Sequence, residues 1–501
     1  MNFSVIDTII VIVYMVASAA VGAWIGRRQK NTTDYFLAGR TIPWYAVTFS
    51  IVATETSVLT FISIPAVSYE GNLTFLQICL GYIVGRILVA LLLMPAYYRG
   101  EVNTAYHFLG QRFGQKMRNT ASITFIITRL LADGVRLFAT AIPLAIIIRS
   151  SGLLSDLTDS QFYVVAILII GIFTMIYTYI GGIRSVIWMD VVQMFIYIGG
   201  AILAGIIILQ NLSEGMQSLL NFPDIFRKME WFNTGFDLTF RQFIKEPYTF
   251  FTAVIAGAIF SLASHGTDQI IVQRSLTCKD LRSSQKAIIW SGVVVFLQFF
   301  LFLFIGIMLY VFYSGATYQQ LGLTRSDGIF PKFIIEEMPV GISGLIISAL
   351  FAAAMSTLAS SLSSLASATV LDIYAPIFGK GKTEEQLLKI SRRITLVWGV
   401  VLAAAAFSFI GLKGTVVEVA LGIASYTYGG LLGVFLLGIF SKKANQRDAI
   451  IAFATAMVVM TVVIQLVQVA WPLYTVIGSA TAVLTGMLSN AISVQLKKKE
   501  S

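Results

Sequence analysis

The polar run from Ala352 to Asp372 contains four serines spaced three or four residues apart: Ser356, Ser360, Ser363 and Ser367. Because a helix has 3.6 residues per turn, these serines would lie on one stripe of a helix. Small hydroxyl residues of this kind let helices pack closely in a membrane. Their oxygens are also neutral ligands of the kind that hold a monovalent cation weakly. The stripe alone leaves both interpretations open.

A second polar stretch, Ala53-Thr54-Glu55-Thr56-Ser57, interrupts a long apolar run. Hydroxyls can satisfy backbone groups that a local unwinding releases, and the freed carbonyls can coordinate an ion. This stretch therefore favours an interrupted helix beside a cation site. The alternative is a continuous buried helix whose hydroxyls bond their own carbonyls one turn earlier.

Ionisable side chains also fall within apolar runs, where a charge needs a partner. They include Glu55, Asp133, Asp190 and Arg136. Asp190 either takes a counter-ion inside the bundle or pairs with Arg184 at the cytoplasmic interface. Arg136 either pairs with Asp133 three residues earlier, or faces a cavity and binds ligand oxygens through its planar fork of donors.

No catalytic signature accompanies these groups, since the sequence contains neither an HExxH nor a GxSxG pattern. Residues 379–383 (GKGKT) superficially match a phosphate-binding loop, but Pro376 occupies the place of the first glycine and no strand precedes it. His265 is expected to be a satisfied interhelical group. Two histidines and two cysteines supply too few ligands for a zinc or haem site. An enzyme is therefore not expected.

The composition indicates what positions these groups. Only 12% of the 501 residues are charged and 57% are hydrophobic, whereas soluble domains are about 25% charged. One membrane-spanning helix needs about 20 apolar residues. The sequence therefore predicts an all-α polytopic membrane protein. Its apolar start carries Asp7 rather than a basic segment, so a cleavable signal peptide is not expected.

Apolar runs bounded by charge, glycine or proline predict about thirteen membrane-spanning helices. Their approximate bounds are 5–25, 43–67, 73–98, 119–148, 161–181, 185–210, 247–273, 286–314, 340–371, 394–411, 415–440, 449–470 and 473–495. Alternate assignment of the connections places most Lys and Arg residues on one side, including Arg274 to Lys286. The positive-inside rule makes that side cytoplasmic, which puts the N-terminus outside and the C-terminus inside. The net charge of +10 then reflects topology, and nucleic acid is not an expected partner.

Several segments together resemble the sodium:solute symporter family over nearly the whole chain. They are DYFLAGR at 34–40, GGIR at 181–184 with WMDVVQ at 188–193, Gln269 with VQR at 272–274, and residues 352–374 ending in DIY. The resemblance implies a LeuT-type fold, in which two five-helix repeats are inverted relative to each other. One extra helix would precede the repeats and two would follow them.

The resemblance also implies a division of the chain. Residues 1–42 would form the extra N-terminal helix with a cytoplasmic loop, and residues 43–210 the first repeat. Residues 211–246 would form an extracellular loop, and residues 247–440 the second repeat. Residues 441–501 would supply two C-terminal helices and a basic cytoplasmic tail.

Sodium is the coupling ion that the resemblance implies. The family's main sodium site uses carbonyls and hydroxyls of the first and eighth core helices, which fall here on Ala53, Thr56, Ala353, Ser356 and Thr357. Some family members have a second sodium site, built from an aspartate and serines. Asp190, Ser356 and Ser360 match that site, but Ala359 stands where a further hydroxyl would be. One sodium ion, or two, would be coupled to each solute.

The substrate-binding positions of the family's sialic acid carriers map onto Glu55, Ser57, Thr60, Phe75, Cys79 and Arg136, and Ser261 and Ser264 are further candidates. Glu55 and Cys79 stand where those carriers have neutral polar residues, whereas Arg136 permits a carboxylate-bearing substrate. Glu55 and Arg136 carry opposite charges. They either pair in the empty pocket or each await a group of the solute.

The expected function is sodium-coupled import of a small polar organic solute by alternating access, with a sugar, sialic acid or related sugar acid favoured. An amino acid or another carboxylate is an alternative solute. A proton-coupled carrier with Glu55, Asp133 and Asp190 as a relay, or an ion channel, is an alternative mechanism. The expected setting is the plasma membrane, with a bacterial inner membrane favoured, and a functional monomer whose partners are the solute and the lipid bilayer.

Overall fold

The computed structural model describes residues 4–27, 29–150, 157–323, 325–410, 416–467 and 469–500. Within these ranges the regular secondary structure is helical, apart from an isolated bridge between Ile42 and Cys278. The all-α prediction is therefore confirmed. The helices of the first half are α1 (Val5–Ile25), α2 (Thr32–Leu37), α3 (Trp44–Glu55), α4 (Val58–Glu70), α5 (Leu76–Leu88), α6 (Met94–Arg99), α7 (Ala105–Phe113), α8 (Gln115–Ser150), α9 (Asp159–Asn211), α10 (Met216–Leu220), α11 (Ile225–Lys228) and α12 (Phe240–Phe243).

The second half is also helical. Its helices are α13 (Gly257–Gly266), α14 (Gln269–Ser275), α15 (Leu281–Phe312), α16 (Ile329–Glu336), α17 (Ile342–Ser367), α18 (Ala375–Phe378), α19 (Glu384–Phe407), α20 (Val416–Phe440), α21 (Gln446–Leu466) and α22 (Trp471–Glu500). π-Helical turns adjoin these elements at Val89–Leu93, Phe251–Ala256 and Ala368–Tyr374, and 3₁₀ turns lie at Ala38–Arg40 and Ser326–Gly328.

The polar stretch around Glu55 interrupts the second apolar run, as predicted. The axis bends by 65° between α3 and α4, and Thr56 and Ser57 have extended backbone at the break. The alternative interpretation also holds in part, because the hydroxyls of Thr54 and Thr56 donate to carbonyls four residues earlier at 2.7 and 2.9 Å. The hydroxyls therefore satisfy the last turn of α3 while the chain unwinds after it.

A second break separates α13 from α14 inside the predicted span 247–273. Asp268 lies at this break and accepts a hydrogen bond from the backbone N–H of Ile270 at 2.9 Å. Aspartate at this position caps a new helix, so the chain starts α14 rather than extending α13. The predicted apolar span 247–273 therefore contains two helices, α13 and α14, separated by a break.

The helix α9 is 53 residues long and contains a third irregularity. Gly182 has φ 52° and ψ −154°, a backbone conformation that glycine adopts without steric cost. A Cβ atom at this position would lie 2.5 Å from the carbonyl oxygen of Tyr35. The predicted spans 161–181 and 185–210 therefore meet at a glycine bend, as the Gly181-Gly182 pair indicated.

Within the described ranges, eight helices are long and apolar enough to cross a membrane, or nine if the bent pair α3 and α4 counts as one span. One of the eight is α9, which carries two predicted spans. Two further apolar helical stretches, Phe251–Gly266 (a π-helical turn with α13) and Tyr426–Phe440 (within α20), are shorter, at 10–17 residues each. A membrane protein with many spans is thus supported, while the number thirteen and the repeat boundaries stay predictions.

The helix that carries the serine stripe lies at the centre of the bundle. In the most apolar 18-residue stretch of Ile342–Phe378, 89% of the residues are buried. In the corresponding stretches of α1, α21 and α22 the buried share is 28%. The helix α17 contacts α1, α3, α8 and α9. Its hydroxyl stripe therefore faces other helices rather than lipid, and the least buried helices are those predicted to be additions to the two repeats.

Candidate solute and sodium sites

A cavity of about 300 Å³ lies beside the two helix breaks. Its wall includes Ser57 from the first break and Ile270 and Ile271 from the start of α14. Aromatic rings form much of the rest: Phe75, Tyr82, Tyr248, Phe260, Phe299, Tyr428 and Trp471. Ligand pockets for small molecules occupy about 300–1,000 Å³, so this cavity has the size of a small solute.

Six of the predicted substrate-binding residues line this cavity: Glu55, Ser57, Thr60, Phe75, Arg136 and Ser264. Two do not line it. Ser261 is fully buried and donates to the carbonyl of Tyr82 at 3.1 Å. Cys79 is fully buried on α5, one turn from Phe75 and from Tyr82, whose longer side chains do reach the cavity. In this structure both residues lie behind the wall, and their part in solute binding stays a prediction.

Glu55 is held by a cation that the sequence analysis did not assign to it. The Nη2 atom of Arg86, a fully buried residue of α5, lies 2.5 and 2.6 Å from the two carboxylate oxygens. His265 bonds the same carboxylate from α13, which confirms it as an interhelical group. Of the two alternatives for Glu55 and Arg136, the structure does not show the two paired with each other, because Arg86 and His265 bond the Glu55 carboxylate.

Arg136 projects into the cavity, and 25% of its side chain is exposed. Its Nη1 atom lies 3.4 Å from Asp133 Oδ1, so both predicted alternatives hold at once. That same oxygen is 3.5 Å from Arg129, and the other oxygen of Asp133 accepts from Ser361 at 2.6 Å. Because the ion pair is long and shared, the guanidinium keeps donors for the oxygens of a ligand.

A second ion pair closes the cavity next to the break before α14. Arg129 donates to Asp268 and, at 2.6 Å, to the hydroxyl of Tyr428. That hydroxyl lies 2.8 Å from the carboxylate of Asp268. The cluster joins α8, α14 and α20. The sequence analysis did not predict this cluster, because Asp268 follows Arg129 by 139 positions. The position of Arg129 within an apolar run was the one sign of it.

The predicted main sodium ligands lie on α3 and α17, which meet where Thr54 and Ser360 are 3.2 Å apart. Since α3 ends at Glu55, the carbonyl of Ala53 belongs to its last turn, where helical N–H partners run out. Thr357 lines the cavity and donates to the carbonyl of Ala353 at 3.1 Å. These carbonyl and hydroxyl oxygens fit the neutral donor set that a weakly held sodium ion needs.

The other two predicted ligands are already engaged by neighbours. The hydroxyl of Thr56 accepts from Gln298 at 2.6 Å, and the hydroxyl of Ser356 donates to Asp190 at 2.6 Å. Both oxygens keep a lone pair for a cation. Among the described residues, no group of three or more His, Cys, Asp and Glu side chains is placed to hold a metal, so a cation here would rely on neutral oxygens.

Asp190, the predicted anchor of a second sodium site, has its counter-ion inside the bundle. Arg274 Nη2 lies 3.0 Å from Asp190 Oδ2, and both side chains are 0% exposed. Arg184, the alternative partner, instead donates to Thr41 at 2.7 Å. The sequence analysis counted Arg274 with the cytoplasmic loop, whereas in the structure α14 extends through Ser275 and the Arg274 side chain is buried.

The three carboxylates that a proton relay would need are each neutralised locally. Glu55, Asp133 and Asp190 pair with Arg86, Arg136 and Arg274 respectively. A buried ion pair holds both charges in place, since removing either one leaves its partner uncompensated. The geometry therefore favours fixed ion pairs over a chain of proton carriers.

An apolar helical bundle with two interrupted helices around a cavity is typical of secondary transporters, in which unwound backbone at membrane depth is tolerated where it lines the binding site. The sequence profile of the sodium:solute symporter family matches residues 35–456. The chain belongs to this family. It is therefore a sodium-coupled membrane symporter with the LeuT-type fold and is not an enzyme.

Similar proteins cover almost the entire chain. The sodium/sialic acid symporter NanT of Aliivibrio fischeri is 30% identical over 97% of this chain and 93% of its own length. The sodium/sialic acid symporter SiaT of Proteus mirabilis is 27% identical over 99% and 97%. A solved substrate-bound, outward-open Na⁺-coupled sialic acid symporter superposes with a TM-score of 0.82 at 28% identity and covers 98% of both chains.

Proposed function

We propose that this symporter carries a sugar acid of the sialic acid class and binds its carboxylate at Arg136. The proposal rests on a difference in pairing and exposure between Arg136 and Arg86. Arg136 lies 3.4 Å from its nearest carboxylate and is 25% exposed, whereas Arg86 approaches Glu55 to 2.5 Å and is fully buried. Of the two arginines that line the cavity among the described residues, Arg136 is the more accessible, because Arg129 is only 7% exposed and pairs with Asp268. A planar guanidinium binds a carboxylate through two parallel hydrogen bonds.

The remaining wall suits a hydroxyl-rich solute. Ser57, Thr60 and Ser264 contribute hydroxyls to the cavity, and the ring of Phe75 offers an apolar face. The side chain of Glu55 is 20% exposed despite its ion pair and can accept from a hydroxyl or amino group. The similarity to NanT and SiaT, both sodium/sialic acid symporters, supports a sialic acid as the solute. An amino acid or another carboxylate would use Arg136 in the same way and is the second candidate.

For sodium we propose the ligand set Ala53, Thr56, Ala353, Ser356 and Thr357. When bound there, sodium supplies a positive charge between α3 and α17. The donors on α3 belong to the turn where the helix breaks, so holding them in place also fixes Glu55 and Ser57 at the cavity wall. A cation that favours this arrangement lowers the cost of forming the solute site, and the coupling is reciprocal.

One chain of contacts connects the sodium ligands with Arg136. The hydroxyl of Ser361 lies 3.1 Å from the carbonyl of Thr357 and 2.6 Å from Asp133. Asp133 in turn lies 3.4 Å from Arg136. A shift of α17 on sodium release would therefore move the carboxylate that orients Arg136. This gives a physical route by which sodium affinity and solute affinity depend on each other.

The test is binding of N-acetylneuraminic acid to purified protein by calorimetry, in sodium and in potassium buffer. The wild type should bind in sodium, and Arg136→Gln should weaken binding about 30-fold or more, since losing one partner of a buried charge pair costs at least about 2 kcal/mol. Arg118→Gln is the control, because it removes a charge from the same helix away from the cavity.

Near-wild-type binding by Arg136→Gln would refute the assignment of Arg136 to the solute site. Equal affinity for the carboxylate-free sugar N-acetylmannosamine would refute the role of the carboxylate.

We propose that the chain works as a monomer in a bacterial inner membrane, with its N-terminus outside and its C-terminus in the cytoplasm. The excess of Lys and Arg in alternate connections supports this orientation. Because Cys79 and Cys278 are both buried, single introduced cysteines can be labelled selectively. A membrane-impermeant maleimide should label Gln217→Cys on intact cells and Lys443→Cys only after lysis, and the reverse would invert the topology.

A further inference from the structure

Arg274 lies among the oxygens that a second sodium ion would use. Its Nε atom donates to Ser50 at 2.9 Å, and its Nη1 atom donates to the carbonyl of Ile270 at 2.9 Å. Its Nη2 atom donates to Asp190 at 3.0 Å and also to the hydroxyl of Ser360. All three nitrogens of the guanidinium are therefore engaged, and two of the three predicted ligands of the second site accept from it.

Asp190 is equally occupied. Its Oδ2 atom accepts from Ser50 at 2.5 Å in addition to Arg274, and its Oδ1 atom accepts from Ser356 at 2.6 Å. A sodium ion within bonding distance of Asp190 and Ser360 would lie against the guanidinium, and both charged side chains are 0% exposed. Like charges repel strongly where water cannot screen them. While Arg274 is in place, these residues do not fit a second sodium ion.

We infer that Arg274 is a tethered cation that takes the place of a second coupling sodium, so that this symporter uses one sodium ion per solute. The inference rests on the proposed function in taking the main sodium site as present and, for its charge balance, in taking a carboxylate-bearing solute. Ser50, which no part of the sequence analysis assigned to a site, belongs to this arrangement because it bridges the arginine and the aspartate.

The balance of buried charges supports a single sodium ion. The described residues in and around the cavity include four arginines and four carboxylates: Arg86, Arg129, Arg136, Arg274, Glu55, Asp133, Asp190 and Asp268. One sodium ion and one solute carboxylate keep this set neutral. A second sodium would leave an uncompensated charge in the interior, which is unfavourable.

The experiment counts bound sodium on purified protein with radioactive sodium and needs no solute. The wild type should hold one ion. Arg274→Gln leaves Asp190 without a counter-ion beside three hydroxyls, so it should hold two. The double variant Arg274→Gln with Asp190→Asn should return to one. Arg118→Gln is the matched control, because it breaks another arginine–aspartate pair, at 2.8 Å from the buried Asp372, and should stay at one.

Two ions on the wild type would overturn the inference, whatever the variants do. One ion on Arg274→Gln would overturn the claim that the guanidinium excludes sodium, and two on Arg118→Gln would remove its specificity. If Arg274→Gln does not fold, Arg274→Lys keeps the charge and should hold one ion, and a second ion there would count against the inference. Because no solute is present, failure to bind N-acetylneuraminic acid would refute the proposed solute and leave the sodium count standing.

Discussion

Two buried charge clusters flank the contact between α3 and α17, and they differ in how completely they are paired. Around Asp190 every nitrogen of the Arg274 guanidinium donates to an oxygen, and neither side chain is exposed. On the cavity side, 20% of the Glu55 side chain and 25% of the Arg136 side chain are exposed. The first cluster is closed to ligands and the second is open.

The difference shows how a charge inside a membrane protein can be interpreted. An intramembrane charge suggests a functional site by default, and both clusters satisfy that rule equally at the level of sequence. Pairing distances and exposure separate them. The closed cluster connects α3, α9, α14 and α17 and is shielded from a solute because neither charged side chain is exposed, whereas Arg136 retains donors that face a cavity. Binding is therefore expected where pairing is incomplete.

The largest expected effect is on folding, from removing the carboxylate of the closed cluster. Asp190→Asn leaves Arg274 buried without a counter-ion, which should lower the free energy of unfolding by about 3–5 kcal/mol. Thermal unfolding in detergent measures this loss. Asp237→Asn, on the exposed loop before α12, is the control and should melt like the wild type. A melting temperature of Asp190→Asn equal to that of the wild type would mean that the closed cluster is not a structural ion pair.

An intermediate effect is expected on sodium affinity. Thr357→Ala and Ser356→Ala each remove one hydroxyl from the proposed sodium site, and a hydrogen-bonding group that serves an ion contributes about 1.5–3 kcal/mol. Sodium half-saturation of uptake should therefore rise about tenfold or more in each. Ser348→Ala is the matched control, because Ser348 is a buried hydroxyl of the same helix that donates to the carbonyl of Gly344. Unchanged half-saturation in both Thr357→Ala and Ser356→Ala would refute the ligand set.

Much of the fold followed from local features of the sequence. The break after α3 was predicted because Thr54, Thr56 and Ser57 stand together in an apolar run, and hydroxyls offer an unwound backbone local partners. The bend at Gly182 was predicted from two adjacent glycines. The position of the break before α14 was not predicted, because its capping residue, Asp268, was not recognised inside an apolar span.

The pairing of charges could not be predicted in the same way. Arg86 reaches Glu55 from 31 positions away, and Arg274 reaches Asp190 across 84 positions, so each pair depends on how helices pack. The positive-inside rule assigned Arg274 to a loop because it averages over a segment and cannot detect one buried guanidinium. Cys79 was assigned to the pocket by the resemblance to the sialic acid carriers, whereas in the structure the longer rings of Phe75 and Tyr82 beside it face the cavity.

The smallest expected effect separates two serines on α13 that the sequence analysis treated alike. Ser264 lines the cavity, whereas Ser261 donates to the carbonyl of Tyr82 behind the wall. Ser264→Ala should weaken solute binding about fivefold, because one neutral hydrogen bond contributes about 1 kcal/mol, and should leave the melting temperature unchanged. Ser261→Ala should lower the melting temperature and leave binding unchanged, because it removes a buried bond between α13 and α5. If the two variants exchanged these effects, the boundary drawn between the open cavity and its supporting wall would be in the wrong place.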